Sequence, residues 1–124
     1  MMQRILVVED QEDLRAILRD FLTASGYEVI EAVDGGEGVA KALSQRPDLI
    51  LMDIQLPVLD GYDATRQIKA DPALAATPVI AVSSFAMSGD EAKARAAGCD
   101  AYVTKPFSPR ELLRVIRGFL GDGG

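Results

Sequence analysis

Histidine and tryptophan are absent from this 124-residue chain, and cysteine occurs once, as Cys99. Without histidine the chain has neither a Ser–His nor a Cys–His nucleophile, and no histidine metal ligand. A single cysteine excludes an internal disulfide framework and is compatible with a reducing cytoplasm. We therefore expect a cytoplasmic protein, in which carboxylate, hydroxyl and amine groups carry the chemistry.

The chain also has few basic residues and no long apolar run. Its 13 lysines and arginines face 19 aspartates and glutamates, a net charge of −6. Direct binding of nucleic acid needs a basic face, so this balance disfavours it. No apolar run approaches the ~20 residues that span a bilayer, and the N-terminus lacks the features of a signal peptide. We expect neither nucleic-acid binding nor membrane insertion.

Apolar runs alternate with segments of helical periodicity. The runs predict β-strands, at Arg4–Val8, Glu28–Ala32, Leu49–Met52, Val79–Ser83 and Ala101–Lys105. The periodic segments predict helices: one with Leu14, Ile17, Leu18, Phe21 and Leu22 on its buried face, then Asp34–Ser44, Tyr62–Ala70, Ser88–Ala97 and one from Ser108-Pro109 to Gly121. Short right-handed connections then predict an α/β fold, a parallel sheet with helices on both faces. Residues 1–121 form the expected domain, and 122–124 a short flexible tail.

The third run places a carboxylate at a favourable position. Four large apolar residues, Leu49–Met52, predict a strand that is buried on both faces. Asp53 follows at the carboxyl end, where open α/β sheets bind their ligands. Pro57 and Gly61 indicate that the chain turns soon afterwards. The sequence thus predicts an acid presented by a rigid strand at the mouth of a crevice.

Acids also follow the first strand, as Glu9 and Asp10. If the first and third strands are neighbours, three carboxylates converge, and such a cluster needs a cation or raised pKa values. An all-oxygen set without histidine or thiolate favours Mg²⁺. The alternative is that each is an ordinary helix-start acid beside a positive dipole end.

A hydroxyl and an amine end the last two strands. Ser83 closes the fourth and Lys105 the fifth, and these are the donor and the cation that suit a phosphoryl oxygen. Taken singly, Ser83 is more simply an N-cap and Lys105 a solvated lysine. Taken together at one sheet edge with the acids, they favour a phosphoryl site.

In this combination the chain resembles the receiver domain of two-component response regulators, over essentially its whole length. The closest likeness is to stand-alone receivers of the chemotaxis and cell-division type. The residues that carry the resemblance are Glu9-Asp10, Met52 to Pro57, Asp60-Gly61, Ser83 and Tyr102 to Phe107. The family has a flavodoxin-like, three-layer fold, so the resemblance implies five parallel strands in the order 2-1-3-4-5; that order does not come from the residues themselves.

The resemblance also implies a chemical role for the acids. Asp53 is implied as the phosphoacceptor, which attacks a phosphohistidine on a histidine kinase or a histidine phosphotransfer protein. Glu9, Asp10 and the backbone carbonyl of Gln55 are implied to hold Mg²⁺ together with Asp53. Such a protein is not a conventional enzyme, but it catalyses its own phosphorylation and dephosphorylation.

The remaining roles concern readout. Lys105 is implied to pair with Asp53 and then with the phosphoryl group. Ser83 and Tyr102 are the implied switch residues, and the Lys105–Pro106 bond is implied to be cis. Signalling then passes to a downstream protein target through altered contacts.

The alanine-rich fourth helix has little apolar anchorage, so we expect it to contribute to the output surface with the fifth strand and the last helix. The alternative is that its alanines simply pack tightly on the sheet. Three positions depart from the family pattern or tune phosphoryl lifetime in the family, namely Ser84, Gln55 and Phe85.

Other classes of protein remain open at this point. The chain is expected to be a single-domain regulator, but it is alternatively a receiver module of a hybrid histidine kinase or longer regulator. A flavodoxin-like cofactor carrier shares the layer pattern, although the acidic loop Glu9–Asp13 would repel a cofactor phosphate. An aspartyl-phosphate phosphatase normally needs a second acid where Gln55 stands. A receiver-like module that binds partners without phosphorylation is disfavoured by the complete acid, hydroxyl and lysine set.

Overall fold

The computed structural model describes residues 2–84 and 89–121. Strands and helices alternate strictly, in the order β1 (Arg4–Val8), α1 (Glu12–Ala24), β2 (Glu28–Ala32), α2 (Gly35–Gln45), β3 (Leu49–Asp53), α3 (Gly61–Ala70), β4 (Val79–Ser83), α4 (Asp90–Ala97), β5 (Ala101–Thr104) and α5 (Pro109–Leu120). Phe85 and the expected tail 122–124 lie outside the described residues, as does Ser88 at the expected start of the fourth helix.

The five strands form one parallel sheet in the order β2-β1-β3-β4-β5. This order confirms the fold expected from the resemblance. It places β1 and β3 side by side, with Val8 opposite Met52, and leaves β2 at an edge, where exposed Glu28 is tolerated. Consequently the residues that follow β1 and β3 meet at the centre of the carboxyl edge.

Two apolar cores lie on the two faces of the sheet because successive strand residues point to opposite sides. Leu6, Val8, Ile50 and Met52 pack with α2, α3 and α4. Ile5, Val7, Leu49 and Leu51 pack with α1 and α5. Leu49–Met52 are all buried, as their apolar run predicts, and Asp53 at the end of β3 is buried as well.

One expected core residue is not buried. Ile17 was predicted to lie on the buried face of α1, but it is 58% exposed, whereas Leu18 and Leu22 are fully covered. The buried face of α1 is therefore narrower than the spacing indicated: Leu14 and Phe21 are half-buried against the core, and Ile17 is left outside it.

Capping residues set the helix boundaries. Ser108 accepts a hydrogen bond from Glu111 N and Pro109 occupies the first turn of α5, as predicted. Helix α3 begins one residue earlier than expected, at Gly61, because Asp60 accepts a hydrogen bond from Asp63 N. Helix α4 begins only at Asp90, because Gly89 before it has a φ of +99°.

No helix in the described ranges 2–84 and 89–121 is both long and apolar enough to cross a membrane.

Candidate functional site at the carboxyl edge of the sheet

The three predicted acids come together at the ends of β1 and β3. Glu9 and Asp53 are buried, while Asp10 is exposed at the rim. One carboxylate oxygen from each lies within 4.8 Å of the others. Glu9 N donates a hydrogen bond to Ala32 O at the end of the edge strand β2 (3.0 Å), so the sheet holds the backbone at Glu9.

Lys105 connects the two buried carboxylates. Its Nζ lies 3.1 Å from Glu9 Oε1 and 3.2 Å from Asp53 Oδ2, and its side chain is 16% exposed. The carboxylates of Glu9 and Asp53 lie within 4.8 Å of each other, and two negative charges this close repel in a poorly hydrated pocket. The ammonium group therefore neutralises part of that charge and keeps both acids in position.

The electrostatics of the pocket are visible in two pKa values. Burial raises the pKa of Glu9, and Asp53 raises it further; the Gln11 N–H and Lys105 oppose this, leaving a pKa of about 7 against 4.5. Burial lowers the pKa of Lys105, but the hydrogen bond to Glu9 and the nearby Asp53 charge outweigh it, so that pKa is raised. The three carboxylates of the site thus carry more negative charge than the single ammonium group of Lys105 neutralises.

The donor set fits a small divalent cation. The three carboxylates offer only oxygen ligands, and a cation that lies among them would relieve their mutual repulsion. An open cavity of about 450 Å³ adjoins Asp10 and is lined in part by Gln55 and Tyr62 as well. The acid cluster is therefore open to solvent on the side of Asp10.

The loop after β3 fixes the direction of Asp53. Gln55 N donates to Asp53 Oδ1 (3.1 Å), and Gly61 N donates to Ile54 O (2.9 Å). A Cβ at Gly61 would lie 2.3 Å from Asp53 O, so the loop can close this tightly only with glycine there. Gly61, one of the predicted turn residues, thus allows the tight loop that fixes the position of Asp53.

The other predicted residues lie along the same edge or next to it. Ser83 is fully buried at the end of β4, and its carbonyl accepts from Lys105 N (2.7 Å). The Lys105–Pro106 peptide bond is cis. Tyr102 is half-buried on β5 and packs against the core shared by α3 and α4. The structure therefore brings the acid cluster, Ser83 and Lys105 to one edge of the sheet, and Tyr102 lies further back on β5, the strand that leads to Lys105.

Comparisons with known proteins identify the family of this chain. Residues 5–117 match the family model described as the response regulator receiver domain. The chain belongs to this family. It is accordingly a receiver domain of two-component signalling, and the comparisons do not favour the flavodoxin-like carrier.

Among its relatives are response regulators of polar differentiation. The chain is 46% identical to DivK of Brucella anthropi over 122 residues, which is 98% of this chain and 99% of that protein. DivK of Brucella ovis is 45% identical over the same share of each chain.

Two solved structures are similar in fold. The receiver domain of sensor histidine kinase PA1611 from Pseudomonas aeruginosa PAO1 has a TM-score of 0.91 and 40% identity, covering 98% of this chain and 99% of its own; that structure has a magnesium ion coordinated in the active-site cleft. The chemotaxis protein CheY4 of Vibrio cholerae has a TM-score of 0.91 and 28% identity, covering 96% and 99%.

The sequence interpretation of this receiver missed one residue beside the pocket. Arg15, on α1, donates from Nη1 to Glu9 O (3.0 Å). An arginine in the second turn of an exposed helix is common and gives no signal by itself. Only the packing of α1 against β1 and β2 shows that it contacts the backbone between the two acids.

Proposed function

We propose that Asp53 accepts a phosphoryl group from a phosphohistidine on a histidine kinase or a histidine phosphotransfer protein. The observation that carries this proposal is the position of Asp53: it is buried, yet 3.2 Å from the Lys105 ammonium and next to two further acids. A carboxylate held in this way is poised as a nucleophile, with a cation ready for the incoming charge.

The transfer itself is a single exchange of bonds. An Asp53 carboxylate oxygen attacks phosphorus, a P–O bond forms, and the P–N bond to the partner's histidine breaks. The histidine nitrogen leaves with the bonding electron pair and takes up a proton. The product is an acyl phosphate on Asp53. Its added negative charge is neutralised in part by the Lys105 ammonium group, and its oxygens accept a hydrogen bond from the Ser83 hydroxyl.

The residues that would hold Mg²⁺ are Glu9, Asp10, Asp53 and, through its backbone carbonyl, Gln55. Their oxygen-only chemistry and the convergence of the three carboxylates support this assignment. When bound, the ion supplies charge that neutralises the phosphoryl oxygens. The magnesium-bearing cleft of the Pseudomonas receiver domain supports the same assignment.

The output is a change in protein contacts. Ser83 and Tyr102 act as switch residues, and the surface formed by α4, β5 and α5 binds a downstream protein target. Helix α4 supports this proposal in part: Ala94 and Ala97 are packed, but the rest of the helix is largely exposed. We further propose that the protein acts in the cytoplasm, with neither nucleic acid nor membrane as a direct partner.

The test is phosphorylation by a small phosphodonor. Incubation with Mg²⁺ and acetyl phosphate is expected to add the mass of one phosphoryl group to the unsubstituted protein and none to Asp53→Asn. Asp63→Asn is the matched control, because Asp63 is an exposed aspartate on α3 that pairs only with Arg66 among the described side chains. A phosphoryl adduct on Asp53→Asn, or none on the unsubstituted protein, would refute the assignment.

A further inference from the structure

Arg15 joins the acid pocket to the edge strand. Its side chain is only 16% exposed, and Nε lies 3.2 Å from Glu31 Oε1 on β2. Its Nη1 donates at the same time to the backbone oxygen of Glu9 (3.0 Å). One planar guanidinium therefore connects two elements, which a flexible lysine would do less well.

Glu31 is a firm anchor for this arginine. It lies within β2, where it is paired in register with Val7 of β1. Its carboxylate also lies 3.6 Å from Arg19 Nη1, one turn further along α1. The position of the Arg15 guanidinium is thus set by the sheet rather than by the loop that it contacts.

The oxygen that Arg15 holds has a special place in the chain. It belongs to the peptide unit between Glu9 and Asp10, which is planar, so its orientation directs both residues. Ala32 O accepts from the preceding N–H at 3.0 Å. Together the two bonds fix the backbone at the point where β1 presents its two acids to Asp53.

We propose that Arg15 is a positioning residue for the cation site, which it supports through the Glu9–Asp10 peptide rather than by contact with the ion. This inference rests on the proposed function, because it assigns Glu9 and Asp10 to Mg²⁺. Groups that orient metal ligands typically contribute 10–100-fold to metal affinity. The effect of losing Arg15 is expected near the lower end of that range, about tenfold, because the sheet bond to Ala32 remains.

Electrostatics alone predict the opposite change in Mg²⁺ affinity when Arg15 is lost. Arg15 is a cation beside a cluster of acids, so its removal would strengthen the attraction for Mg²⁺. Positioning predicts weaker binding when the same charge is removed. The direction of the change in affinity therefore separates the two explanations.

The experiment is a titration of the full ¹⁵N-labelled chain with MgCl₂, followed by amide chemical shifts, which also report whether each variant is folded. Arg15→Ala is expected to bind Mg²⁺ about tenfold more weakly, and Arg15→Lys, which keeps the charge and one donor group, at an intermediate level. The control is Arg19→Ala, which removes a cation and a contact to Glu31 without touching Glu9; its affinity is expected to stay within about twofold.

Each outcome decides the inference. Binding by Arg15→Ala that is equal to or tighter than that of the unsubstituted protein would overturn it, as would equal losses in Arg15→Ala and Arg19→Ala. If Arg15→Ala is unfolded, Arg15→Lys decides in the same way. If the protein is phosphorylated on Asp53 but its Mg²⁺ affinity does not change when Arg15 is replaced, only this inference is refuted. If the unsubstituted protein binds no Mg²⁺, both this inference and the proposed cation site are refuted.

Discussion

Replacement of Glu9 by glutamine is expected to remove the pH dependence that this residue imposes on stability. The pKa of Glu9 is raised from 4.5 to about 7, chiefly by burial. Between these values the native protein keeps a proton that the unfolded chain has lost. The stability that protonated Glu9 contributes to the fold is therefore fully present below pH 4.5 and is lost as pH rises through about 7.

The magnitude follows from the same values. One pKa unit corresponds to about 1.4 kcal/mol, so the ionised form costs the folded protein at most about 3 kcal/mol at pH 8. Glutamine removes the charge but has one carbonyl oxygen, whereas the two oxygens of Glu9 accept from Lys105 Nζ and Gln11 N. The lost acceptor costs about 1 kcal/mol at every pH.

Glu9→Gln is thus expected to be about 1 kcal/mol less stable than the unsubstituted protein at pH 4 and about 2 kcal/mol more stable at pH 8. The two proteins should be nearly equal in stability at pH 5, because most unfolded chains have already lost the Glu9 proton there. Urea unfolding in EDTA, followed by circular dichroism from pH 4 to pH 8, measures both differences. Glu12→Gln, which neutralises an exposed acid on α1, serves as the control and should follow the unsubstituted protein. A difference between Glu9→Gln and the unsubstituted protein that does not vary with pH would refute the reasoning.

Two further predictions concern the loop that carries Asp53. Val58 is 84% exposed with a φ of +71°, a conformation that is strained for a β-branched residue, so Val58→Asn should stabilise the protein by roughly 1 kcal/mol in urea unfolding; a loss of stability would contradict the strain. Gly61→Ala should destabilise by roughly 2 kcal/mol or more, because its Cβ would meet backbone atoms of Asp53 and Ile54 below 3.0 Å. Gly118→Ala has open space around its Cβ and should instead stabilise by about 0.5–1 kcal/mol; similar effects at the two glycines would show that backbone entropy, rather than contact, decides.

Local patterns predicted the elements well because each depends on neighbours in sequence. The start of α5 follows from Ser108 and Pro109, which act within one turn. The buried β3 follows from four consecutive apolar residues. The exposure of Ile17 was not predictable in this way, since periodicity gives the direction of a face but not how much of it the sheet covers.

The pairing of distant groups required the tertiary structure. The order of the strands brings Glu9 and Asp53 together, and the turn after β5 brings Lys105 to both. Residue spacing alone left their ordinary explanations open, as helix-start acids and a solvated lysine. Burial then raised the pKa of Glu9, an effect that depends on what surrounds the side chain rather than on its neighbours in sequence.

By itself, the sequence determined the alternating strands and helices, the acid at the end of a buried strand and the kind of chemistry that oxygen and nitrogen groups allow. These are properties of residue type and short-range periodicity. Only the tertiary structure decided that Lys105 lies between two buried carboxylates and that Arg15 holds the peptide between Glu9 and Asp10. Such contacts join residues that are distant in the chain or on different elements, and they exist only once the helices have packed on the sheet.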